Sequence, residues 1–203
     1  MRAADEFLKK FGELISREGY IPEQVSNSDE TGLFWEKMLR RTYITVEEKK
    51  LPGHEPMKDR LTFTFCANAS GDFKIKPLLA QNNMKDRLSV FWRPNAKAWV
   101  TRTIFIEWMN ICFGPAVQTF LEENYLPLKC LLPLDNNPAH LPGLKANIHL
   151  DFSIIKVLYL PPNITLLLQP MDQKVIANFK KLYTKHLFRR CFEVTKSTQL
   201  APP

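Results

Sequence analysis

An apolar run that ends at a carboxylate constrains the fold of this chain more than any other feature. Cys130–Leu134 reads as a strand buried on both faces, and Asp135 follows it directly. An ionised carboxylate in that position is costly to desolvate unless a positive charge meets it, and a divalent cation is one candidate. Asp29, which ends a predicted strand, and Asp172, which begins the last predicted helix, stand in comparable places. We expect chain reversals to bring these three aspartates to one edge of a sheet.

The hydrophobic pattern predicts one domain of the α/β class. A chain of 203 residues with 45% hydrophobic content suffices for a single sizeable core. The predicted elements are a helix over residues 5–18, strands over 25–29, 41–46, 61–67 and 74–79, a helix over 103–124 bent near Gly114, strands over 130–134 and 154–160, and a helix from Asp172 onward. Antiparallel strands come first and buried strands later, which indicates a mixed sheet with flanking helices.

The charge balance favours anionic partners. Lys and Arg number 28 against 21 for Asp and Glu, a net charge of +7 that suits nucleic acid. Lys181, Lys185 and Arg189 recur every fourth residue of the last helix and could follow a phosphate backbone or form a solvated helix face. Arg93 and Lys97 lie among tryptophans, a mixture found on DNA-binding surfaces and also around ordinary cores.

The cysteines and the lengths of the apolar runs indicate where in the cell the protein is expected. The four cysteines are scattered without metal-ligand spacing, so we expect reduced and mostly buried thiols. No leader opens the chain and its apolar runs are short or interrupted, so we expect a soluble, intracellular protein with no membrane partner.

Several phrases of the sequence agree, in order, with one known family. They are DETGLFW, KDRLTFTFCANASGDFKIKPLL, AWVTRTIFIEWM, LDNNPAH, LPPNITLLLQPMDQ and FKKLYTKHLFRRCFEV. Together they resemble the pogo and Tigger branch of the DDE transposases, and jerky-type and centromere-protein-B-type domesticated proteins are similar too. The resemblance covers nearly the whole chain, which makes it more specific than a single motif.

The resemblance implies a ribonuclease-H-like fold in residues 25–195, after an N-terminal helix and lead-in (1–24) and before a tail (196–203). It implies that Asp29, Asp135 and Asp172 are the catalytic triad and bind Mg²⁺ or Mn²⁺ for DNA cleavage and strand transfer. Three further residues, Asn136, His140 and Glu30, stand where they could orient those ligands. The resemblance also implies DNA as partner and the nucleus as location.

The chain departs from the family pattern at several points. A connection after Ala80 is short by about a dozen residues, judged against that resemblance. Pro133 interrupts the strand that leads to Asp135 and could misplace this carboxylate. Asn137 replaces a small residue, and Lys174 puts an ammonium two residues after Asp172, which would weaken cation binding. We also expect site-specific end recognition to be missing and the catalytic core to be incomplete, because helix-turn-helix domains and later helical material are absent.

Three hypotheses follow. We favour a Tigger transposable-element-derived protein that binds DNA without full transposase activity. The first alternative is an active Mg²⁺- or Mn²⁺-dependent enzyme that cleaves or transfers DNA strands. The second alternative is a relic reading frame with no biochemical role. Oligomerisation and the target DNA sequence stay open.

Overall fold

The computed structural model describes residues 2–34, 60–81, 88–137, 140, 144–162 and 169–199. The strand predicted over 41–46 and most of the shortened connection after Ala80 lie outside these ranges.

A four-stranded sheet forms the first half of the domain. Its strands are β1 (Ser26–Phe34), β2 (Arg60–Asn68), β3 (Leu78–Gln81) and β4 (Phe91–Pro94). Strands β1, β2 and β3 pair antiparallel in turn, and β4 pairs parallel with β3. The alternation of β-branched and aromatic residues in β2 accounts for its long pairing with β1.

Two parallel strands extend this sheet on the other side of β1. They are β5 (Cys130–Leu134) and β6 (Ile155–Tyr159), paired along their whole length. These two strands form a two-stranded sheet, and a single parallel bridge between Val25, just before β1, and Leu131 links it to the four-stranded one. The strands therefore stand side by side in the order β4-β3-β2-β1-β5-β6. All five residues of β5 are buried, as the apolar run predicts for a strand with neighbours on both sides.

The helices are α1 (Arg2–Glu18), α2 (Arg102–Trp108), α3 (Gly114–Glu123), the short α4 (Leu144–Asn147) and α5 (Val175–Gln199). Among the described residues, the α2–α3 segment and α5 pack on the two faces of the sheet. A π-helical turn, Met109–Phe113, links α2 to α3, so the predicted bend near Gly114 is a widening of the helix just before it. A Cβ at Gly114 would lie 2.6 Å from the ring of Phe152, and this close approach requires glycine.

The main core fills one face of the sheet. Phe105, Trp108 and Phe113 of the α2–α3 segment are fully buried there, together with Leu132 of β5 and Cys66 of β2. The segment Arg102–Glu123 has the length and apolar composition of a membrane-spanning helix. Its packing on the sheet accounts for that composition. Cys66 and Cys130 are buried as expected, but Cys112 is half-buried and Cys191 is exposed.

Helix α5 covers the opposite face. Phe179 contacts the rings of Phe63 and Phe65 at centroid distances of 5.6 and 4.7 Å. Directly opposed residues of paired strands share a face, so the β1 partner of Phe65, which is Asp29, also lies on the α5 side. The next residue, Glu30, therefore lies on the core side.

Two predicted strands differ from the structure, and one observed strand was not predicted. The strand predicted over 25–29 continues to Phe34, so Asp29 lies within β1 and not at its end. The strand predicted over 74–79 begins at Leu78, and Lys74 makes only an isolated bridge to Ala67. Strand β4 was not predicted, because four residues that end in Pro94 carry no alternating pattern.

Candidate functional site

A cluster of buried side-chain amides holds the turn that carries Asp172 against β1. The Asn27 Nδ2 donates to the Pro133 carbonyl at 3.0 Å and to Gln169 Oε1 at 2.9 Å. The Met171 backbone N–H donates to Asn27 Oδ1 at 3.1 Å, and Gln169 Nε2 donates to the Ser28 carbonyl at 3.1 Å. Because Asn27 and Asp29 lie on the same face of β1, this amide clamp brings Asp172 to the side of the sheet where Asp29 lies.

The clamp also accommodates Pro133, the residue expected to misplace Asp135. The N–H and C=O of one strand residue point to the same side, so the missing N–H of Pro133 faces β1 like its carbonyl. The bridge between β1 and β5 lies at Leu131, two residues earlier, and the Asn27 side chain serves the Pro133 carbonyl in place of a backbone donor. Strand β5 thus continues to Leu134 and delivers Asp135 at its carboxyl end.

A buried histidine lies between two carboxylates on the core side. His140 is 1% exposed, and its ring lies 4.4 Å from that of Phe105. Its Nδ1 is 2.7 Å from Asp135 Oδ1, and its Nε2 is 2.9 Å from Glu30 Oε1. The Tyr159 hydroxyl donates to the His140 carbonyl at 2.8 Å, which fixes the backbone of this residue over β6.

Two neighbouring asparagines complete this arrangement. The Asn137 Nδ2 donates to Glu30 Oε2 at 3.1 Å, and the Asn137 backbone N–H donates to Asp135 Oδ1 at 3.2 Å. Asn136, expected to orient a ligand, donates instead to the Leu160 carbonyl and anchors the end of β5 to the end of β6. The sequence singled out Asn137 only as a departure from the family, yet it contacts two of the site carboxyl groups.

The pKa shifts differ between the α5 side of the sheet, where Asp29 lies, and the core side, where His140 lies. Burial, followed by the nearby charges of Asp172, Glu30 and Asp135, raises the pKa of Asp29 to about 7. Burial alone would raise the pKa of Asp135, but the hydrogen bond and charge of His140 outweigh burial and lower it. Burial would lower the pKa of His140, but its hydrogen bonds to Asp135 and Glu30 prevail and raise that pKa to about 10. At neutral pH the ring is therefore an imidazolium that donates to both carboxylates.

The three aspartates are neighbours without forming a closed ligand set. Within the described residues, no group of three or more His, Cys, Asp or Glu side chains is placed to hold a metal ion. The reason is the position of Asp135, whose carboxylate is bonded to His140 on the core side while Asp29 lies on the α5 side.

The donor chemistry nevertheless fits a hard cation. Asp29, Asp135 and Asp172 offer carboxylate oxygens, which Mg²⁺ and Mn²⁺ prefer. Asp29 is 7% exposed, and its Oδ1 accepts from the Glu30 backbone N–H at 2.8 Å. Among the described residues, no cationic side chain donates a hydrogen bond to this carboxylate. A cation between Asp29 and Asp172 would supply the missing positive charge.

The five basic residues selected from the sequence fall into two groups. Lys181, Lys185 and Arg189 are exposed on α5, and Lys97 is exposed in the turn before α2. Arg93 is different, because its guanidinium donates to both carboxylate oxygens of Glu107 at 2.7 and 2.6 Å.

Comparison with solved structures places this fold among transposases. The pre-cleavage Mos1 transpososome has a TM-score of 0.57 over 90% of this chain and 47% of that chain, at 13% identity. The Mos1 paired-end complex with the left transposon end has a TM-score of 0.55 over 86% of this chain and 46% of that one, again at 13% identity. The expected ribonuclease-H-like fold is thereby confirmed.

Sequence comparison defines the family. Residues 58–200 match the DDE superfamily endonuclease family, and the chain belongs to it. It is 34% identical to the human Jerky protein homolog over 89% of this chain and 33% of that protein. It is 32% identical to the human Tigger transposable element-derived protein 7 over 88% of this chain and 34% of that protein. The CENP-B homolog protein 2 of Schizosaccharomyces pombe is 27% identical over 90% of this chain and 35% of that protein. The chain thus spans about a third of the length of these relatives.

Proposed function

We propose that this chain is a Tigger-type, transposase-derived domain that binds DNA without full transposase activity. The observation that carries the proposal is the basic stripe Lys181, Lys185 and Arg189 on α5. All three side chains are exposed, and none forms an ion pair with a residue that the structure describes. Helix α5 as a whole holds six Lys and Arg against a single Glu. DNA binding also implies a nuclear location, which we propose on that ground.

The dimensions of the stripe suit a DNA backbone. At about 1.5 Å of rise per residue, Lys181 and Arg189 lie about 12 Å apart along the axis of α5. One DNA strand presents a phosphate every ~3.4 Å of rise, so the stripe spans three or four phosphates. Helix α5 begins three residues after Asp172, so a strand along the stripe would lead to the carboxylates.

The test is the salt dependence of duplex DNA binding, measured by fluorescence anisotropy. We expect the triple variant Lys181→Gln, Lys185→Gln, Arg189→Gln to lower the slope of log K against log salt by about 2–3. The matched control removes three exposed lysines elsewhere, Lys9→Gln, Lys74→Gln and Lys76→Gln, and should change the slope by less than about 1. Equal slopes for the two triple variants would refute the stripe as the binding surface.

A second candidate function is metal-dependent cleavage or transfer of a DNA strand. The observation that favours it is that Asp29 is buried near three further carboxylates, Asp172, Glu30 and Asp135; burial first and these charges second raise the pKa of Asp29 to about 7. Asp29 and Asp172 would hold Mg²⁺ or Mn²⁺, with Asp135 after its carboxylate turns from His140. Bound cations of this kind activate a water or a 3′-hydroxyl and stabilise the leaving oxygen.

Thermal unfolding with and without Mn²⁺ tests the second candidate. If the site binds the ion, Mn²⁺ raises Tm at pH 8 because it binds the folded state alone, and Asp29→Asn abolishes this rise. Asp151→Asn, which removes an exposed carboxylate elsewhere, should leave the rise intact. No rise in the wild type would leave DNA binding as the one proposed activity. A single cooperative transition is expected in every case, and its absence would support the relic reading frame.

A further inference from the structure

The segment before α2 presents an aromatic ring above an arginine. Trp99 is 56% exposed, and the Arg60 guanidinium carbon lies 4.6 Å from the centroid of its ring. Arg60 in turn lies against the backbone of Gly32, where a Cβ would come within 2.6 Å of its Nε. The arginine is therefore held between the backbone of β1 and the indole.

The backbone beneath Trp99 is fixed. The Thr62 hydroxyl donates to the Ala98 carbonyl, and the Ala98 N–H donates to the Asn95 carbonyl at 2.9 Å in a tight turn. Ala98 itself is buried. A ring fixed in this way loses little conformational entropy when a flat ligand stacks on it.

The surroundings of the ring are cationic. Lys97 and Arg102 are exposed two residues before and three residues after Trp99, and like Arg60 they form no ion pair with any part of the chain that the structure describes. An aromatic face among unpaired cations has the chemistry of a stacking platform for a nucleobase whose phosphates meet those cations.

From these contacts we infer that Trp99 and Arg60 form a stacking site for an unpaired base of single-stranded DNA. The inference rests on the DNA binding proposed above and adds the form of DNA that the chain recognises. A base inside a duplex has both faces covered by its neighbours, so only an unpaired or extruded base can use this ring. Gly32 lies on the same face of β1 as Glu30, two residues and about 7 Å away at ~3.3 Å per residue, so the base would lie on the core side of the sheet, opposite the face that carries Asp29.

The test compares Trp99→Leu with Trp99→Phe. Both variants keep an apolar side chain, but only phenylalanine keeps an aromatic face. A labelled single-stranded DNA and the blunt duplex of the same sequence are titrated at one salt concentration. Tyr125→Ala is the matched control, because Tyr125 is 96% exposed and lies in the turn after α3.

We expect Trp99→Leu to weaken single-strand binding at least about fivefold and duplex binding less than about twofold, since stacking acts on unpaired bases. Trp99→Phe and Tyr125→Ala should bind like the wild type. A 2-aminopurine base in the single strand should be quenched on binding to the wild type and not to Trp99→Leu.

Three results would overturn the inference. Equal affinities of Trp99→Leu and Trp99→Phe for the single strand would exclude stacking. Wild-type binding of the duplex without binding of the single strand would overturn the stacking site and leave the proposed function standing, whereas binding of neither would overturn both. Tighter binding of RNA of the same sequence, with the same dependence on Trp99, would overturn the assignment to DNA.

Discussion

The Nδ1 of His140 lies 2.7 Å from Oδ1 of Asp135, and this contact turns a candidate metal ligand toward the interior of the domain. The second ring nitrogen is bonded to Glu30, so one buried cation serves two carboxylates. An internal positive charge thereby occupies the electrostatic role that a metal ion would take for Asp135.

The stability contributed by His140 should depend on pH. Its pKa in the folded chain, about 10, lies above the ordinary 6.5, so the contribution is complete below pH 6.5 and is lost as pH rises toward 10. His140→Gln should cost about 3 kcal/mol at pH 6 because two buried carboxylates lose their cation, and much less at pH 10. Urea unfolding at both values measures this.

The control is His149→Gln, since His149 forms an exposed pair with Asp151. Exposed pairs contribute little, so this variant should change the free energy of unfolding by less than about 0.5 kcal/mol at either pH. A cost of His140→Gln that is the same at pH 6 and pH 10 would mean that the ring is not an imidazolium in the folded chain.

The stability contributed by Asp29 should also depend on pH, but here burial is the main cause. Its pKa is raised to about 7, so the protonated form stabilises the folded chain at low pH and this contribution disappears as pH rises through 7. Asp29→Asn should therefore raise Tm by a few degrees at pH 8, and its advantage should vanish near pH 4. Thermal unfolding followed by circular dichroism at both pH values tests this, and a lower Tm of the variant at pH 8 would contradict it.

The amide clamp should be essential to stability. Asn27→Ala leaves the Pro133 carbonyl, the Gln169 side chain and the Met171 N–H without their buried partner, at a cost of about 2–4 kcal/mol. Asn124→Ala is the control, because Asn124 is exposed and its side chain donates to the Phe120 carbonyl within its own helix. Denaturation midpoints compare the two, and equal midpoints would show that the clamp contributes nothing special.

Lys174 has a backbone conformation that favours glycine. Its φ is 80°, so we expect Lys174→Gly to exceed Lys174→Ala in stability by about 1 kcal/mol, although both remove the same ammonium. If the two variants unfold at the same denaturant concentration, the backbone at this position is not strained.

Sequence patterns predicted the helices and strands that depend on neighbouring residues in the sequence. The apolar run before Asp135 predicted a buried strand because a strand flanked on both sides needs no polar face. The pattern failed at β1, where the predicted strand ended at Asp29 but the observed one pairs with β2 through Phe34. Backbone hydrogen bonds to β2 outweigh the low strand preference of the polar residues in this part of β1. A short window of sequence does not include β2 and therefore cannot predict this pairing.

The sequence predicted which residues belong to the site better than it predicted how they are arranged. His140 was selected, but its burial depends on Phe105 and Tyr159, which lie far from it in sequence. The partnership of Asn27 with Gln169 joins residues 142 positions apart, so no spacing rule could reveal it. The roles of Asp29, Asp135 and Asp172 as metal ligands stay a prediction.

The most direct test of the central claim is duplex DNA binding without the carboxylates. The double variant Asp29→Asn, Asp135→Asn is compared with the wild type by anisotropy in the presence of EDTA. If α5 carries DNA binding by charge, the variant binds as tightly as the wild type or more tightly, because two negative charges near the DNA are gone. A loss of affinity beyond about tenfold, in a variant whose circular dichroism shows that it is folded at the assay temperature, would show that binding requires the carboxylates and would contradict a DNA-binding domain that works without its ancestral chemistry.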